Sequence, residues 1–344
     1  MSANQKFEDI FNKWDEAEDF SGVISISNKG ATVYEKIQGF RNKGEKIPNQ
    51  KDTAFGTASV GKLFTAAAIC QLIDQGKLSL ESKIGDVLPQ DLKAVDKNVT
   101  VLQLLTHSSG IADYLDFDDK ESEVKFYNQN PVNLWLNNEA YLPFFNAQPS
   151  KFKPGTQTGY SNSNFILLGL IIEALSGEGY HAYIAKNIIM PLNLTRTGFH
   201  ATNNLPANTA VGYVWSKSLE EYVGNYFFLP IIGAADGGLY TTTADMALFW
   251  KGIFEGKLFS QSMLEEFLTP RTFFDDIDGH IGLCVFVSEK EGHKIYWHDG
   301  GDYGVFSYTA YIPRTGDIIT ILSNVSLSAG SFPDELIQLL ITKP

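Results

Sequence analysis

The chain has 344 residues, 44% of them hydrophobic, and a formal net charge of −13. This length suffices for one large domain or two smaller ones with a buried core, and the negative charge argues against nucleic acid or an anionic membrane as partner. No stretch reaches the roughly eighteen uncharged apolar residues of a membrane helix. Cys70 and Cys284 lie in apolar runs and are predicted to be core residues. The six histidines form no metal-binding pattern, so we predict neither a metal nor a cofactor.

The first twenty residues alternate charged side chains with Phe7, Ile10, Phe11 and Trp14. That pattern predicts an amphipathic surface helix. It differs from a signal peptide, which needs a basic start and an apolar core. Together with the initiating Met1, it predicts a cytoplasmic protein.

The strand patterns lie at the two ends of the chain. Residues 23–27 and 32–38 are predicted to form a hairpin, and the later strand runs and a closing helix cover residues 281–287, 294–297, 307–312, 318–322 and 332–341. The middle, from about 77 to 255, is predicted to be mainly helix and loop. We therefore predict an α/β (α+β) fold with one antiparallel sheet assembled from both termini.

Ser59 and Lys62 form a Ser-x-x-Lys tetrad at the start of an apolar segment whose helix signals run to Gly76. Residues three apart share one face of a helix, and a serine at a helix N-terminus faces free N–H groups. A lysine in a partly dry site can act as its base. The alternative is a helix-capping serine beside a solvated lysine.

The tetrad alone is weak support, because it occurs twice more. Ser122 and Lys125 lie in a charged stretch, and Ser150 and Lys153 lie between two prolines. We predict that both copies are on the surface.

Two further motifs favour the catalytic interpretation of Ser59 and Lys62 over the helix-capping one. Tyr160 and Asn162 form a Tyr-x-Asn triplet before a second apolar helix, residues 165–175, and His298, Gly300 and Gly301 follow a strand-like run. In this order and spacing the three motifs resemble the penicillin-recognising serine hydrolases, in particular the branch of class C β-lactamases, D-alanyl-D-alanine carboxypeptidases and related esterases. The likeness extends over further segments: Gly76–Leu80, Leu104–Ile111, Gly237–Thr242 and Pro313–Asp317.

The resemblance implies a β-lactamase/transpeptidase-like fold, with an antiparallel sheet flanked by helices. Residues 1–76 and 256–344 would form the α/β domain, residues 77–255 an inserted mainly helical domain, and the active site would lie in the cleft between them.

The resemblance also assigns roles. Ser59 would be the nucleophile, and its own N–H with that of Gly301 would stabilise the oxyanion. Tyr160 would shuttle the proton, sharing the base role with Lys62. Asn162 would hold Lys62 and the substrate, and a glycine at 301 would let the strand approach the substrate.

The third motif of that family begins with lysine or histidine, and this chain has His298 there. A mostly neutral histidine suits esters or small amides better than an anionic β-lactam, and its protonation below pH 6.5 would favour carboxylate-bearing substrates. We therefore predict a serine hydrolase acting on a small-molecule ester, amide or β-lactam substrate. The alternatives are a true β-lactamase or D-alanyl-D-alanine carboxypeptidase, and a catalytically silent scaffold or binding protein. The sequence does not indicate an oligomeric state.

Overall fold

The computed structural model describes residues 3–342. Within them the strands are β1 (Gly22–Asn28), β2 (Ala31–Gln38), β3 (Phe40–Asn42), β4 (Ile47–Pro48), β5 (Phe55–Gly56), β6 (Tyr213–Ser216), β7 (Glu221–Gly224), β8 (Tyr240–Thr241), β9 (Thr272–Phe274), β10 (Gly279–Ile281), β11 (Phe286–Lys290), β12 (His293–Asp302), β13 (Val305–Ile312) and β14 (Asp317–Ser323). The α-helices are α1 (Ala3–Glu18), α2 (Lys62–Asp74), α3 (Ile84–Val87), α4 (Val101–Leu105), α5 (Lys120–Gln129), α6 (Leu142–Phe145), α7 (Asn162–Ser176), α8 (Tyr180–Ile184), α9 (Thr243–Phe254), α10 (Gln261–Leu268) and α11 (Phe332–Ile341).

Eight strands form one sheet in the order β2-β1-β14-β13-β12-β11-β10-β9. The two N-terminal strands join it through β1, which pairs antiparallel with β14 so that Val23 lies opposite Leu322. All the neighbouring pairs in this sheet are antiparallel. The predicted fold class, an antiparallel sheet flanked by helices, is therefore confirmed.

One face of the sheet is covered by the two terminal helices, α1 and α11. Phe7 and Phe11 are fully buried, and the ring of Trp14 stacks on Phe332 with centroids 4.2 Å apart. The predicted N-terminal helix is thus amphipathic, but its apolar side is part of the core. Its first two predicted residues lie outside the described chain.

The other face supports the larger core, which includes α2, α7 and α9. Trp250 of α9 is buried, and its indole N–H donates to the Thr309 hydroxyl on β13, 2.8 Å away. Helix α9 therefore packs on the sheet although it precedes residue 256. The domain limits at 76/77 and 255/256 remain a prediction.

The predicted strand over residues 281–287 is wrong, because the backbone turns in its middle. Cys284 has φ +78°, and its N–H donates to the Leu105 carbonyl instead of a sheet neighbour. Residues 279–281 and 286–290 are consequently separate strands. Cys70 and Cys284 are both buried, as predicted for core residues.

In the described chain, no single helix is long and apolar enough to cross a membrane. Helix α7 and the helical segment 180–189 meet that test of length and composition only together, with a bend of 77° between them.

Candidate active site

Ser59 lies in a 3-10 turn, Ala58–Gly61, and the α-helix begins only at Lys62. The predicted start of the α-helix at Ser59 is therefore wrong, because the α-helix begins at Lys62, after the 3-10 turn. Ala58, just before the serine, has φ +42°, a strained conformation for a residue with a side chain. A Cβ on Gly237 would lie 2.3 Å from the Ala58 carbonyl oxygen, so only glycine can pack this closely against the turn.

Lys62 is fully buried and points back to the serine. Its Nζ lies 3.0 Å from Ser59 Oγ, 2.7 Å from Asn162 Oδ1 and 2.5 Å from the Asp236 carbonyl oxygen. An ammonium has three N–H donors, and here each has an acceptor. The alternative of a capping serine beside a solvated lysine is not observed, since neither Ser59 nor any other side chain caps this turn.

The surroundings favour the charged form of Lys62. Burial alone would lower the pKa of Lys62, but the interaction with Tyr160 and the negative charges of Asp236 and Asp113 outweigh burial and raise it. Burial raises the pKa of the Tyr160 phenol, and the positive charge of Lys62 offsets part of that rise. In the resting site we therefore assign an ammonium to Lys62 and a neutral phenol to Tyr160.

Tyr160 stands beside this pair, with Lys62 Nζ 5.1 Å from the centre of its ring. His107 stacks on the phenol with centroids 4.3 Å apart. The His107 Nδ1 accepts the Ser161 N–H at 3.1 Å, so the imidazole is tied to the backbone directly after the tyrosine. His107, two residues beyond the end of α4, therefore positions the phenol.

Two aspartates that the sequence analysis missed complete the site. Asp113 Oδ2 accepts the amide N–H of Asn162 at 3.0 Å, which turns the amide oxygen toward Lys62. The Asp236 carboxylate accepts the Tyr114 hydroxyl, while its carbonyl binds Lys62. Both lie beside segments that carry the family likeness, residues 104–111 and 237–242, and that proximity was the available signal.

Strand β12 approaches Ser59 at Gly300. A Cβ there would lie 2.6 Å from both the Ser59 nitrogen and the Thr57 carbonyl oxygen. Ser307, opposite Gly300 on β13, donates to the same Thr57 carbonyl at 2.5 Å. Gly300 thus makes the close approach to the turn of Ser59, whereas a Cβ on Gly301 would have no protein atom within 4 Å. The approach of Gly301 to a substrate stays a prediction.

Similar proteins of known sequence and structure show which family this chain belongs to. A family model described as Beta-lactamase matches residues 7–342. PbpX of Bacillus subtilis (strain 168), whose name classes it among penicillin-binding proteins, is 30% identical over 326 residues, or 93% of this chain and 75% of its own. The crystal structure of the penicillin binding protein from Bacillus halodurans is 32% identical with a TM-score of 0.87, covering 97% of this chain and 98% of that one. The chain belongs to the Beta-lactamase family.

The predicted family of penicillin-recognising serine hydrolases, and the hydrolase class that it implies, are thereby confirmed. The D-stereospecific amidohydrolase from Streptomyces has a TM-score of 0.81 at 22% identity, covering 98% of each chain. At that identity the likeness concerns the fold alone.

In this member of the Beta-lactamase family, a cavity of about 260 Å³ lies beside Ser59. Ser59, Tyr160, Asn162 and Gly301 line it, while Lys62, Gly300 and His298 lie behind its wall. Four of the predicted site residues therefore face the space where a substrate would bind.

His298 does not face the cavity. Its ring is buried, stacks on Phe286 with centroids 4.5 Å apart, and Nδ1 donates to the Asp299 carbonyl at 2.6 Å. Burial and the charge of Lys62 lower the pKa of His298 to about 3. The predicted change in substrate preference through protonation of His298 below pH 6.5 is therefore wrong, because the imidazole is neutral at working pH.

The two other tetrads lie outside the cavity lining. Ser122 lies in the first turn of α5, where it shares a capping box with Asp119, and Lys125 is exposed. Ser150 and Lys153 are both exposed. They match the prediction of surface positions.

Proposed function

We propose that this protein is a serine hydrolase that acts on ester or small amide substrates through an acyl-enzyme at Ser59. The observation that carries the proposal is the buried Lys62, which binds the Ser59 hydroxyl and Asn162 beside the cavity. A buried lysine that contacts a serine hydroxyl at the wall of a cavity can serve as its base once the lysine has lost a proton.

In the proposed reaction, Ser59 Oγ attacks the substrate carbonyl carbon, and the N–H groups of Ser59 and Gly301 receive the oxyanion. With an ammonium at Lys62 and a phenol at Tyr160, the resting pair lacks a base. The pair must first release one proton, after which either group can take the proton of Ser59. That proton then passes to the leaving alcohol or amine, and water hydrolyses the acyl-enzyme by the same steps.

The cavity favours this reading over a dedicated β-lactamase or D-alanyl-D-alanine carboxypeptidase. Those substrates carry a carboxylate, and none of the described residues that line the cavity is a lysine or an arginine. A catalytically silent scaffold would have no use for a buried lysine that burial alone destabilises. We also propose a cytoplasmic location, on the sequence pattern alone.

The test is covalent labelling with a fluorophosphonate, read by intact-protein mass. We expect one adduct, absent from Ser59→Ala and retained by the matched control Ser122→Ala. An adduct that persists in Ser59→Ala would refute the mechanism. A panel of p-nitrophenyl acetate and nitrocefin then separates the substrate classes: ester hydrolysis with little nitrocefin turnover is expected, and the reverse would favour the β-lactamase alternative.

A further inference from the structure

The substrate cavity is acidic. Asp236 and Asp302 are among its lining residues, together with His200 as the only nitrogen base among the described lining side chains. Behind the wall, the Lys62 ammonium faces the two carboxylates of Asp113 and Asp236, and Asp302 adds a third carboxylate at the cavity. In a chain of net charge −13, the field in the cavity therefore favours cations.

Asp302 is the carboxylate placed to meet a substrate. It ends β12, two residues beyond Gly300, and alternate residues of a strand point to the same face. Because Gly300 abuts the Ser59 nitrogen, Asp302 lies on the nucleophile's side of the strand, about 7 Å further along it. With the scissile carbonyl at Ser59, a group on the atom next to that carbonyl could therefore contact Asp302.

The carboxylate of Asp302 can accept further hydrogen bonds. Its Oδ1 accepts the Tyr303 N–H at 2.8 Å, and within residues 3–342 its Oδ2 has no hydrogen-bond donor. The basic side chain at this rim, Lys120, is engaged by the Tyr303 hydroxyl at 2.8 Å and by Glu123 at 2.7 Å. Asp302 thus faces the cavity without an ion-pair partner among the described residues. Burial raises the pKa of Asp302 to about 7, and an ammonium bound beside it would favour the charged carboxylate.

Aromatic rings form a large part of the wall. The cavity is lined by Tyr114, Tyr127, Trp135, Tyr141, Phe228 and Tyr240. Such rings bind apolar side chains, and their faces attract an ammonium held near them. The cavity combines a free carboxylate close to the nucleophile with an aromatic wall.

We propose that the substrates are amides or esters bearing a primary ammonium group near the scissile carbonyl, and that Asp302 is the residue that selects this charge. The proposal rests on the proposed serine hydrolase function. An aromatic or other apolar side chain on the acyl part would lie against the ring wall, as in an aminoacyl amide.

The test uses a charge series on one scaffold: phenylalanine amide, its N-acetyl derivative and its N-succinyl derivative, in both enantiomers at pH 7. At this pH the free α-amine is mostly protonated, so the charges are +1, 0 and −1. We expect kcat/KM to fall along the series for the accepted enantiomer, by about tenfold or more from the amine to the N-acetyl compound. High salt should reduce that ratio.

Asp302→Asn should bring the ratio of amine to N-acetyl compound to within about threefold of unity. The asparagine oxygen can still accept the Tyr303 N–H, so the fold is preserved. The matched control is Asp118→Asn, which removes the same charge from an exposed position outside the cavity lining and should keep the ratio. A wild-type ratio near unity, or a ratio that Asp302→Asn leaves unchanged, would overturn the proposal.

Binding separates this proposal from the function on which it rests. In the Ser59→Ala background, which lacks the nucleophile, calorimetry should show the same preference for the ammonium compound and its loss with Asp302→Asn. If Ser59→Ala remains fully active on p-nitrophenyl acetate, the proposed function fails, while the calorimetric ranking still decides the role of Asp302. Equal affinities along the series would refute the charge selection alone.

Discussion

The imidazole of His107 stacks on the phenol of Tyr160, with their planes inclined by 22°. His107 is buried and has φ +52°, a left-handed backbone conformation. The loop after α4 therefore fixes the position of its ring. The hydroxyl of Tyr160 is thereby positioned by its ring contacts. Removing the hydroxyl leaves those contacts in place.

Tyr160→Phe should lower kcat by about a hundredfold or more, the usual size of a lost general base. Because the phenyl ring keeps the stack on His107, the melting temperature should change little. Steady-state kinetics on p-nitrophenyl acetate and a thermal melt check both points. Near-normal turnover would assign the base role to Lys62 alone.

Lys62→Met should lower kcat at least as much, and here we also expect a lower melting temperature. Methionine has a similar volume, but it leaves Asp113 and Asp236 buried beside a site without its cation. The exposed Lys125→Met serves as control, with kcat and melting temperature near wild type. Full activity in Lys62→Met would contradict the assignment of the tetrad.

Activity should rise with pH. The raised pKa values of Lys62 and Tyr160 keep the pair fully protonated at neutral pH, and the base appears only when one proton leaves. Protonation below the pKa of the pair removes that base, so kcat/KM is lost as pH falls. We expect kcat/KM, corrected for spontaneous hydrolysis, to increase from pH 7 to pH 10. A flat profile over this range would exclude these protonation states.

Gly300→Ala and Gly301→Ala form a matched pair. The added Cβ at 300 would lie 2.6 Å from two backbone atoms of the nucleophile turn, whereas at 301 nothing lies within 4 Å. Forcing the strand and the turn apart should lower the melting temperature of Gly300→Ala, by the equivalent of about 1–3 kcal/mol, and abolish labelling of Ser59. Gly301→Ala should keep the wild-type melting temperature. Equal stability of the two variants would show that the turn and the strand are not in contact.

The buried neutral state of His298 predicts a pH-dependent stability. Its pKa is about 3 in the fold and near 6.5 in an unfolded chain, so the unfolded state binds the extra proton between these values. The stability is fully present above pH 6.5 and is lost as pH falls, by up to about 1.4 kcal/mol per unit.

His298→Asn should flatten that loss, since its amide can donate to Asp299 as Nδ1 does but does not titrate. The measurement is the free energy of unfolding in urea at pH 7, 6 and 5, compared between the two proteins. His107 titrates in both and cancels in the difference. Parallel pH curves would mean that His298 is solvated in the native state.

The sequence predicted the parts of the site that local pattern determines. Ser59 and Lys62 are separated by one helical turn, and apolar and polar residues alternate along several sheet strands. Both features could therefore be predicted from the sequence. Asp113 and Asp236 were not, because their role depends on which distant groups they meet. The pKa of His298 likewise follows from burial by Phe286 and the charge of Lys62, and Cys284 bends a run whose composition alone favours a strand.

The sheet also sets when activity can arise during synthesis. Strand β1 has β14 as its inner neighbour, about 290 residues later, and Ser59 meets Gly300 only when β12 is in place. Closing so long a loop is entropically costly, and contacts of such separation form late in folding. A nascent chain that has emerged only as far as α9 would therefore contain Ser59 without the strand that packs against its turn. The proposed active site can be complete only after β12 has been synthesised.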